Sequence, residues 1–137
     1  MSHPAALELT ADVAEALIDH ARAELPNEAC GLLSGPAGRA TTFHPARNAL
    51  GSPLRYDLHS EDLVRLMFEI ESAGDELVAI FHSHTRSPAV PSPTDVRSAA
   101  YRAPYLIASM DEAGPGPMLR AWWIDSGGVA EIPVQVA

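Results

Sequence analysis

Two histidines, a serine and an aspartate lie within fourteen residues, His82 to Asp95, in the sequence HSHTRSPAVPSPTD. The preceding segment Glu76–Phe81 (ELVAIF) is mostly apolar and predicts a buried strand that ends at His82. Because side chains two residues apart on a strand point to the same side, His82 and His84 are placed to face one metal ion. The spacing alone equally allows two strand-end histidines that are satisfied by backbone hydrogen bonds.

Asp95 adds a third potential ligand. Pro93 suits the first position of a helix and Ser92 its N-cap, so the new helix would return the Asp95 carboxylate to the strand end. Two imidazole nitrogens and one carboxylate oxygen, with a fourth position open, are the ligand set of a catalytic zinc site. Ser92-x-x-Asp95 also resembles a capping box, which would explain both residues without chemistry. Ser92 is placed either to cap the helix only or also to donate a hydrogen bond to an oxyanion.

A zinc-bound water needs a general base, and the chain offers eighteen acidic residues. Glu28 is a candidate because it precedes the apolar segment Ala29–Ser34, where a partly desolvated carboxylate would lie beside the metal. Without further information, the default interpretation of Glu28 is a solvated loop residue. Cys30, inside the same apolar segment, is interpreted as a small buried hydrophobic residue and not as a nucleophile.

Hydrophobic periodicity and turn residues predict three helices and a series of short strands. The predicted helices run from the N-cap Thr10 to about Glu24, from the N-cap Ser60 to a stop at Gly74, and from Pro93 to about Arg102. The predicted strands are Leu7–Leu9, Ala29–Ser34, Ala40–His44, Leu54–Leu58, Glu76–His82, Pro104–Met110, Leu119–Asp125 and Ala130–Val136. We therefore expect a mixed α and β fold with one curved, mostly central sheet flanked by helices. Of the adjacent Trp122 and Trp123, we expect one to be buried and one to be more exposed.

Length and composition narrow the class of protein. The 137 residues suit one domain, 1–137. Nine basic against eighteen acidic residues give a net charge of −9, which argues against nucleic-acid binding. No apolar run approaches the ~20 residues that span a bilayer. The N-terminus lacks signal-peptide features and the single cysteine cannot form an internal disulfide, so we expect a cytoplasmic protein without membrane contact.

The complete pattern resembles the JAMM (MPN-plus) metalloprotease family. Glu28 followed by ACGLL, then His-Ser-His, seven residues, a serine, two residues and an aspartate match the family motif. The resemblance implies a cytidine-deaminase-like fold with a curved mixed sheet between helices. It also implies that His82, His84 and Asp95 bind one Zn²⁺, that Glu28 is the acid–base catalyst, and that Ser92 stabilises the oxyanion.

The short layout without insertions resembles the small prokaryotic Mec-type members. That resemblance implies a ubiquitin-like sulfur-carrier protein with a C-terminal Gly-Gly as partner, and release of cysteine from its tail in cysteine biosynthesis. A deconjugating isopeptidase and a metal-free MPN-minus scaffold remain alternatives.

We also make predictions for two residues and one segment near the motif. Ser83 would lie on the opposite side of the strand from its neighbours, in a packing role. Arg86 would meet a carboxylate, either at the terminus of the product or on an acidic surface of the carrier. The proline-rich segment Ser87–Pro93 is a candidate cover for the zinc.

Overall fold

The structure is a computed structural model that describes residues 3–111, 113–114 and 118–137. Its helices and strands, in chain order, are β1 (Leu7–Leu9), α1 (Ala11–Glu24), β2 (Cys30–Gly35), β3 (Arg39–Ala40), β4 (Thr42–Ala46), α2 (Ser60–Ser72), β5 (Glu76–His84), α3 (Pro93–Ser98), β6 (Tyr105–Ser109), β7 (Met118–Asp125), β8 (Gly128–Ile132) and β9 (Val134–Val136). A 3₁₀ turn, Pro36–Gly38, occupies the predicted turn after β2.

The strands form two sheets, not the single sheet expected. Six strands pair in the order β4-β2-β5-β6-β7-β8, with β5 and β6 parallel and the other neighbours antiparallel. A smaller sheet has the order β3-β1-β9. The predicted strand Ala130–Val136 is divided at Pro133, which has no N–H to donate to a ladder. The mixed α and β architecture with flanking helices is confirmed.

The central strand β5 separates two hydrophobic clusters. Phe81 packs in one cluster with Leu17 of α1, and Ile80 packs in the other with Leu66 and Ile70 of α2. All five side chains are at most 4% exposed, and each contributes roughly 1.5–3 kcal/mol by burial. The two helices therefore cover opposite faces of the large sheet, and the Ile80 side chain of β5 lies on the face that α2 covers.

The first helix begins and ends as predicted, with the Thr10 hydroxyl accepting a hydrogen bond from the Val13 amide at 3.2 Å. The second helix begins one residue earlier than predicted: Ser60 is already helical and His59 is the N-cap. Gly74, with φ of 73°, follows its end as predicted.

The third helix ends at Ser98 and does not reach Arg102. The amides of Ala100 and Tyr101 donate to the Tyr105 hydroxyl at 3.0 and 3.1 Å instead of continuing the helical ladder. A tertiary contact from β6 thus replaces the helical hydrogen bonds at this point.

The predicted strand Leu54–Leu58 is wrong. This segment is a loop with one isolated bridge, between Asn48 and Leu58. The Asn48 side chain holds it together, because its Oδ1 accepts from the amides of Leu50 and Asp57, each at 3.1 Å, and its Nδ2 donates to the Arg55 carbonyl at 3.0 Å. An asparagine side chain competes here with strand pairing.

The predicted strands Ala29–Ser34 and Ala40–His44 are present with shifted bounds, because β2 pairs with β4 and Ala40 belongs to the small sheet. The expectation for the tryptophans is wrong, since Trp122 and Trp123 are 9% and 8% exposed. Within the described residues, no helix combines the length and apolar character that crossing a membrane requires.

Candidate active site

His82 and His84 lie at the end of β5, which extends two residues further than predicted. His82 pairs with Cys30 of β2 on one side and with Ile107 of β6 on the other. This position in the middle of the sheet leaves His82 fully buried and His84 only 4% exposed. The strand alternation directs both imidazoles to the same face, as the spacing predicts.

The structure brings Asp95 to these two rings. His82 Nε2 and His84 Nε2 are 3.2 Å apart, and Asp95 Oδ2 is 3.2 Å from the first and 3.1 Å from the second. Tetrahedral zinc with bonds of ~2.0–2.1 Å separates its ligand atoms by about 3.3 Å. The three donor atoms therefore fit a zinc ion in both spacing and chemistry, and they form the candidate metal site of the described residues.

Further contacts fix the two rings. His84 Nδ1 donates to the Pro88 carbonyl at 2.8 Å, which leaves its Nε2 lone pair free for a metal. His82 stacks on Tyr56, with ring centroids 4.3 Å apart and planes 17° apart. Burial lowers the pKa of His82, so its ring stays neutral and able to bind a metal.

Ser92 and Asp95 form the complete capping box of α3. The Ser92 amide donates to Asp95 Oδ2 at 2.9 Å, and the Asp95 amide donates to Ser92 Oγ at 3.1 Å. Burial raises the pKa of Asp95, but its close contacts with the rings of His82 and His84 outweigh this effect and hold the pKa well below the usual range. Because Ser92 Oγ is the acceptor in the box, its own O–H remains able to donate to another oxygen.

Glu28 has the opposite environment. It is 4% exposed, and its Oε1 is buried without a hydrogen-bond partner among the described residues. Burial raises its pKa from 4.5 to about 7, with His84 lowering it and Asp95 raising it by their charges. A carboxyl group that titrates near neutrality beside a metal site is suited to accept and return a proton.

The backbone around Glu28 is fixed by three segments. Its amide donates to the Ser52 carbonyl at 2.9 Å, its carbonyl accepts from Asn48 Nδ2 at 3.1 Å, and the Ala29 amide donates to Ser83 Oγ at 2.8 Å. Ser83 thus has a specific contact where the sequence predicted only packing. Asn48 is not among the residues predicted from the sequence, because its only signal is an amide side chain in the segment between β4 and α2.

The segment Ser87–Pro93 is anchored by three consecutive carbonyl groups. The bonds are Ser109 Oγ to Ser87 O at 2.8 Å, His84 Nδ1 to Pro88 O at 2.8 Å and Trp122 Nε1 to Ala89 O at 2.9 Å. This segment therefore helps to orient the imidazole ring of His84. Its role as a cover for the metal stays a prediction.

Cys30 is fully buried beside the site. Burial raises the pKa of its thiol to about 12, so the thiolate is not formed near neutral pH. The interpretation of Cys30 as a small buried hydrophobic residue is confirmed.

The chain is similar in sequence to known proteins. Residues 10–125 match the family model of prokaryotic homologs of the JAB domain. The chain is 37% identical to the CysO-cysteine peptidase of Mycobacterium tuberculosis, over 95% of this chain and 90% of that protein. It is 40% identical to a desampylase of Haloferax volcanii, over 77% of this chain and 81% of that protein.

A solved structure extends the likeness to the fold. The solution structure of protein DSY2949 from Desulfitobacterium hafniense superposes with a TM-score of 0.85 at 32% sequence identity, covering 95% of this chain and 92% of that one. The predicted resemblance of the chain to the JAMM (JAB/MPN) family is therefore confirmed. With a family match over most of its length, the chain belongs to the prokaryotic JAB-domain family.

Proposed function

We propose that this chain is a zinc-dependent peptidase that cuts the amide bond after the C-terminal Gly-Gly tail of a ubiquitin-like sulfur-carrier protein. The observation that carries the proposal is the triangle of His82, His84 and Asp95 donor atoms, 3.1–3.2 Å apart, with a carboxyl of raised pKa beside it. When bound by these three residues, zinc supplies a Lewis acid for the scissile carbonyl and lowers the pKa of a water molecule.

The protein's own groups then move the proton. Glu28 takes the proton of the attacking water and delivers it to the departing amine, and a pKa of about 7 lets it do both at neutral pH. Ser92 donates its O–H to the developing oxyanion, while its oxygen continues to cap α3. Asp95 stays ionised as a ligand throughout, as its lowered pKa requires.

The proposed reaction releases cysteine from the carrier and serves cysteine biosynthesis in the cytoplasm. The near full-length similarity to a CysO-cysteine peptidase supports this choice. A deconjugating isopeptidase for a ubiquitin-like tag is the second candidate, and the 40% identity to a desampylase supports it. The metal-free scaffold is less favoured, because such a module needs no ligand triangle and no buried base.

Intact-mass spectrometry separates these functions. The zinc-loaded protein is incubated with a sulfur-carrier protein that carries a C-terminal cysteine, and separately with the same carrier linked to a lysine side chain. We expect the first substrate to lose the mass of one cysteine residue, a chelator to stop the loss, and added zinc to restore it. Cleavage of the lysine-linked substrate alone would favour the isopeptidase. An unchanged mass in both, or hydrolysis that persists in chelator, would contradict a zinc peptidase.

A further inference from the structure

A cleft of about 720 Å³ is lined by residues that neighbour the candidate site residues in the sequence. Its walls come from the segments that directly flank the proposed catalytic residues, since Pro26 precedes Glu28 by two residues and Thr85 follows His84. Thr85 Oγ1 donates to the Pro53 carbonyl at 2.9 Å and joins two of these walls. The volume lies within the ~300–1,000 Å³ typical of small-ligand pockets.

The lining of this cleft is mostly apolar, with two charged residues. Leu25 and Leu54 are 39% and 80% exposed, so the cleft presents apolar surface to the solvent. Asp111 accepts from the Ala113 amide at 3.1 Å and so closes its own turn. Arg86 is exposed and has no hydrogen-bond or ion-pair partner within the part of the chain that the structure describes.

We infer that this cleft binds the amino acid on the leaving side of the scissile bond, and that Arg86 recognises the free α-carboxylate of that residue. The inference rests on the proposed function and names its leaving group. The tail of the carrier offers only Gly-Gly, which carries no charge near the cut. In a terminal amino acid, the α-carboxylate carbon lies two bonds from the scissile nitrogen. Arg86 follows the proposed ligand His84 by two residues, so its charge is on the segment next to the proposed point of cleavage.

The shape of the cleft favours this occupant over an acidic surface of the carrier. A guanidinium fork binds a carboxylate through two parallel hydrogen bonds, and an apolar floor accommodates a small side chain such as that of cysteine. A folded acidic surface is convex and would meet only the rim. A lysine-linked conjugate presents no carboxylate at this position, so Arg86 gives the site a preference for terminal amino acids.

The test compares two synthetic peptides that end in Gly-Gly-Cys, one with a free carboxylate and one with a C-terminal carboxamide. Their dissociation constants are measured by calorimetry on the metal-free protein, and their hydrolysis is measured on the zinc-loaded protein. We expect the free acid to bind about fivefold more tightly than the amide, as for a partly exposed ion pair. Arg86→Ala should remove that preference. Arg39→Ala, which deletes an exposed arginine on β3, is the charge-matched control and should keep it.

The outcomes separate the inference from the proposed function. Equal binding of the acid and the amide, no measurable binding of either, or a preference that survives in Arg86→Ala would overturn the role of the cleft. If the protein preferred the free acid but the zinc-loaded protein did not hydrolyse it, the result would support the role of the cleft and contradict the proposed peptidase activity.

Discussion

Two carboxyl groups of the same site, Asp95 and Glu28, are held in opposite ways. The Asp95 side chain is within hydrogen-bonding distance of both histidines and the Ser92 amide, and its pKa is well below the usual range. Among the residues that the structure describes, Glu28 Oε1 has no hydrogen-bond partner, and burial raises the pKa of Glu28 to about 7. The protein fixes Asp95 through its side chain and Glu28 through its backbone.

This difference assigns the roles. Two titratable groups whose environments push their pKa values apart divide the work between a permanently charged group and a proton carrier. Asp95 is suited to hold a cation, because it stays ionised at every physiological pH. Glu28 is suited to exchange protons, because no hydrogen bond from the described part of the chain to Oε1 favours one protonation state.

Removal of the ligand charge should have the largest effect. Asp95→Asn keeps the side-chain shape and an acceptor for the Ser92 amide, but it replaces a charged ligand with a neutral amide. We expect zinc affinity to fall by more than the ~10–100-fold that follows loss of an outer partner of a ligand, and hydrolysis to fall below detection. Zinc titration with a competing chelator and an activity assay measure the two quantities.

Asp125→Asn is the matched control, since Asp125 also accepts hydrogen bonds, from Gly127 and Trp123, but lies at the end of β7. It should keep zinc affinity and activity. Normal zinc binding in Asp95→Asn would remove Asp95 from the ligand set.

A smaller effect on activity is expected from a substitution that removes a hydrogen bond of the backbone next to Glu28. Ser83→Ala removes the acceptor of the Ala29 amide and leaves that buried N–H unpaired, which costs about 1–3 kcal/mol of stability. A displaced Glu28 should lower kcat by about 10–100-fold while zinc content stays unchanged. Steady-state kinetics and metal analysis of the same preparation test this expectation.

Ser34→Ala provides the control for Ser83→Ala. Ser34 is equally buried on β2, and its hydroxyl bonds to His44 at 2.7 Å, away from the metal site. It should lose stability to a similar extent but keep kcat. If both variants lost kcat equally, Ser83 would have only a general structural role.

The pH dependence of stability gives the smallest and most specific signal. In the metal-free protein, folded Glu28 retains its proton between its ordinary pKa of 4.5 and about 7, where the unfolded chain has released it. The stabilisation of the folded state by this retained proton is therefore fully present below pH 4.5 and is lost as the pH rises through about 7. The free energy of unfolding of wild type minus that of Glu28→Gln should fall across this window, as urea denaturation in chelator would show. A difference that does not change with pH would mean that Glu28 is not desolvated.

The triangle of candidate metal-binding residues was predictable because its geometry is local. His82 and His84 share one strand face, and the helix start that carries Asp95 follows within the same fourteen residues. The strand and helix periods that place these side chains can be seen in the sequence itself. The family resemblance, and not periodicity, selected Glu28 from eighteen acidic residues.

The surroundings of the base were not predictable because they depend on distant contacts. The bond between Ala29 and Ser83 joins residues 54 positions apart, and the bond between Asn48 and Glu28 joins residues 20 positions apart. The same reason explains the errors in the fold. Hydrogen bonds of the Asn48 side chain hold a loop where a strand was predicted, and hydrogen bonds to the Tyr105 hydroxyl end α3 earlier than predicted.

The division of labour between the two carboxyl groups is tested most directly by Glu28→Gln, with zinc content and turnover measured on one sample. The variant keeps the side-chain volume and the backbone contacts of residue 28 but cannot accept a proton. We expect it to hold about one zinc per chain, as wild type does, and to hydrolyse the carrier–cysteine adduct about 10²–10⁴-fold more slowly. Full turnover with zinc retained, or loss of zinc together with turnover, would contradict the assignment of Glu28 as the proton carrier.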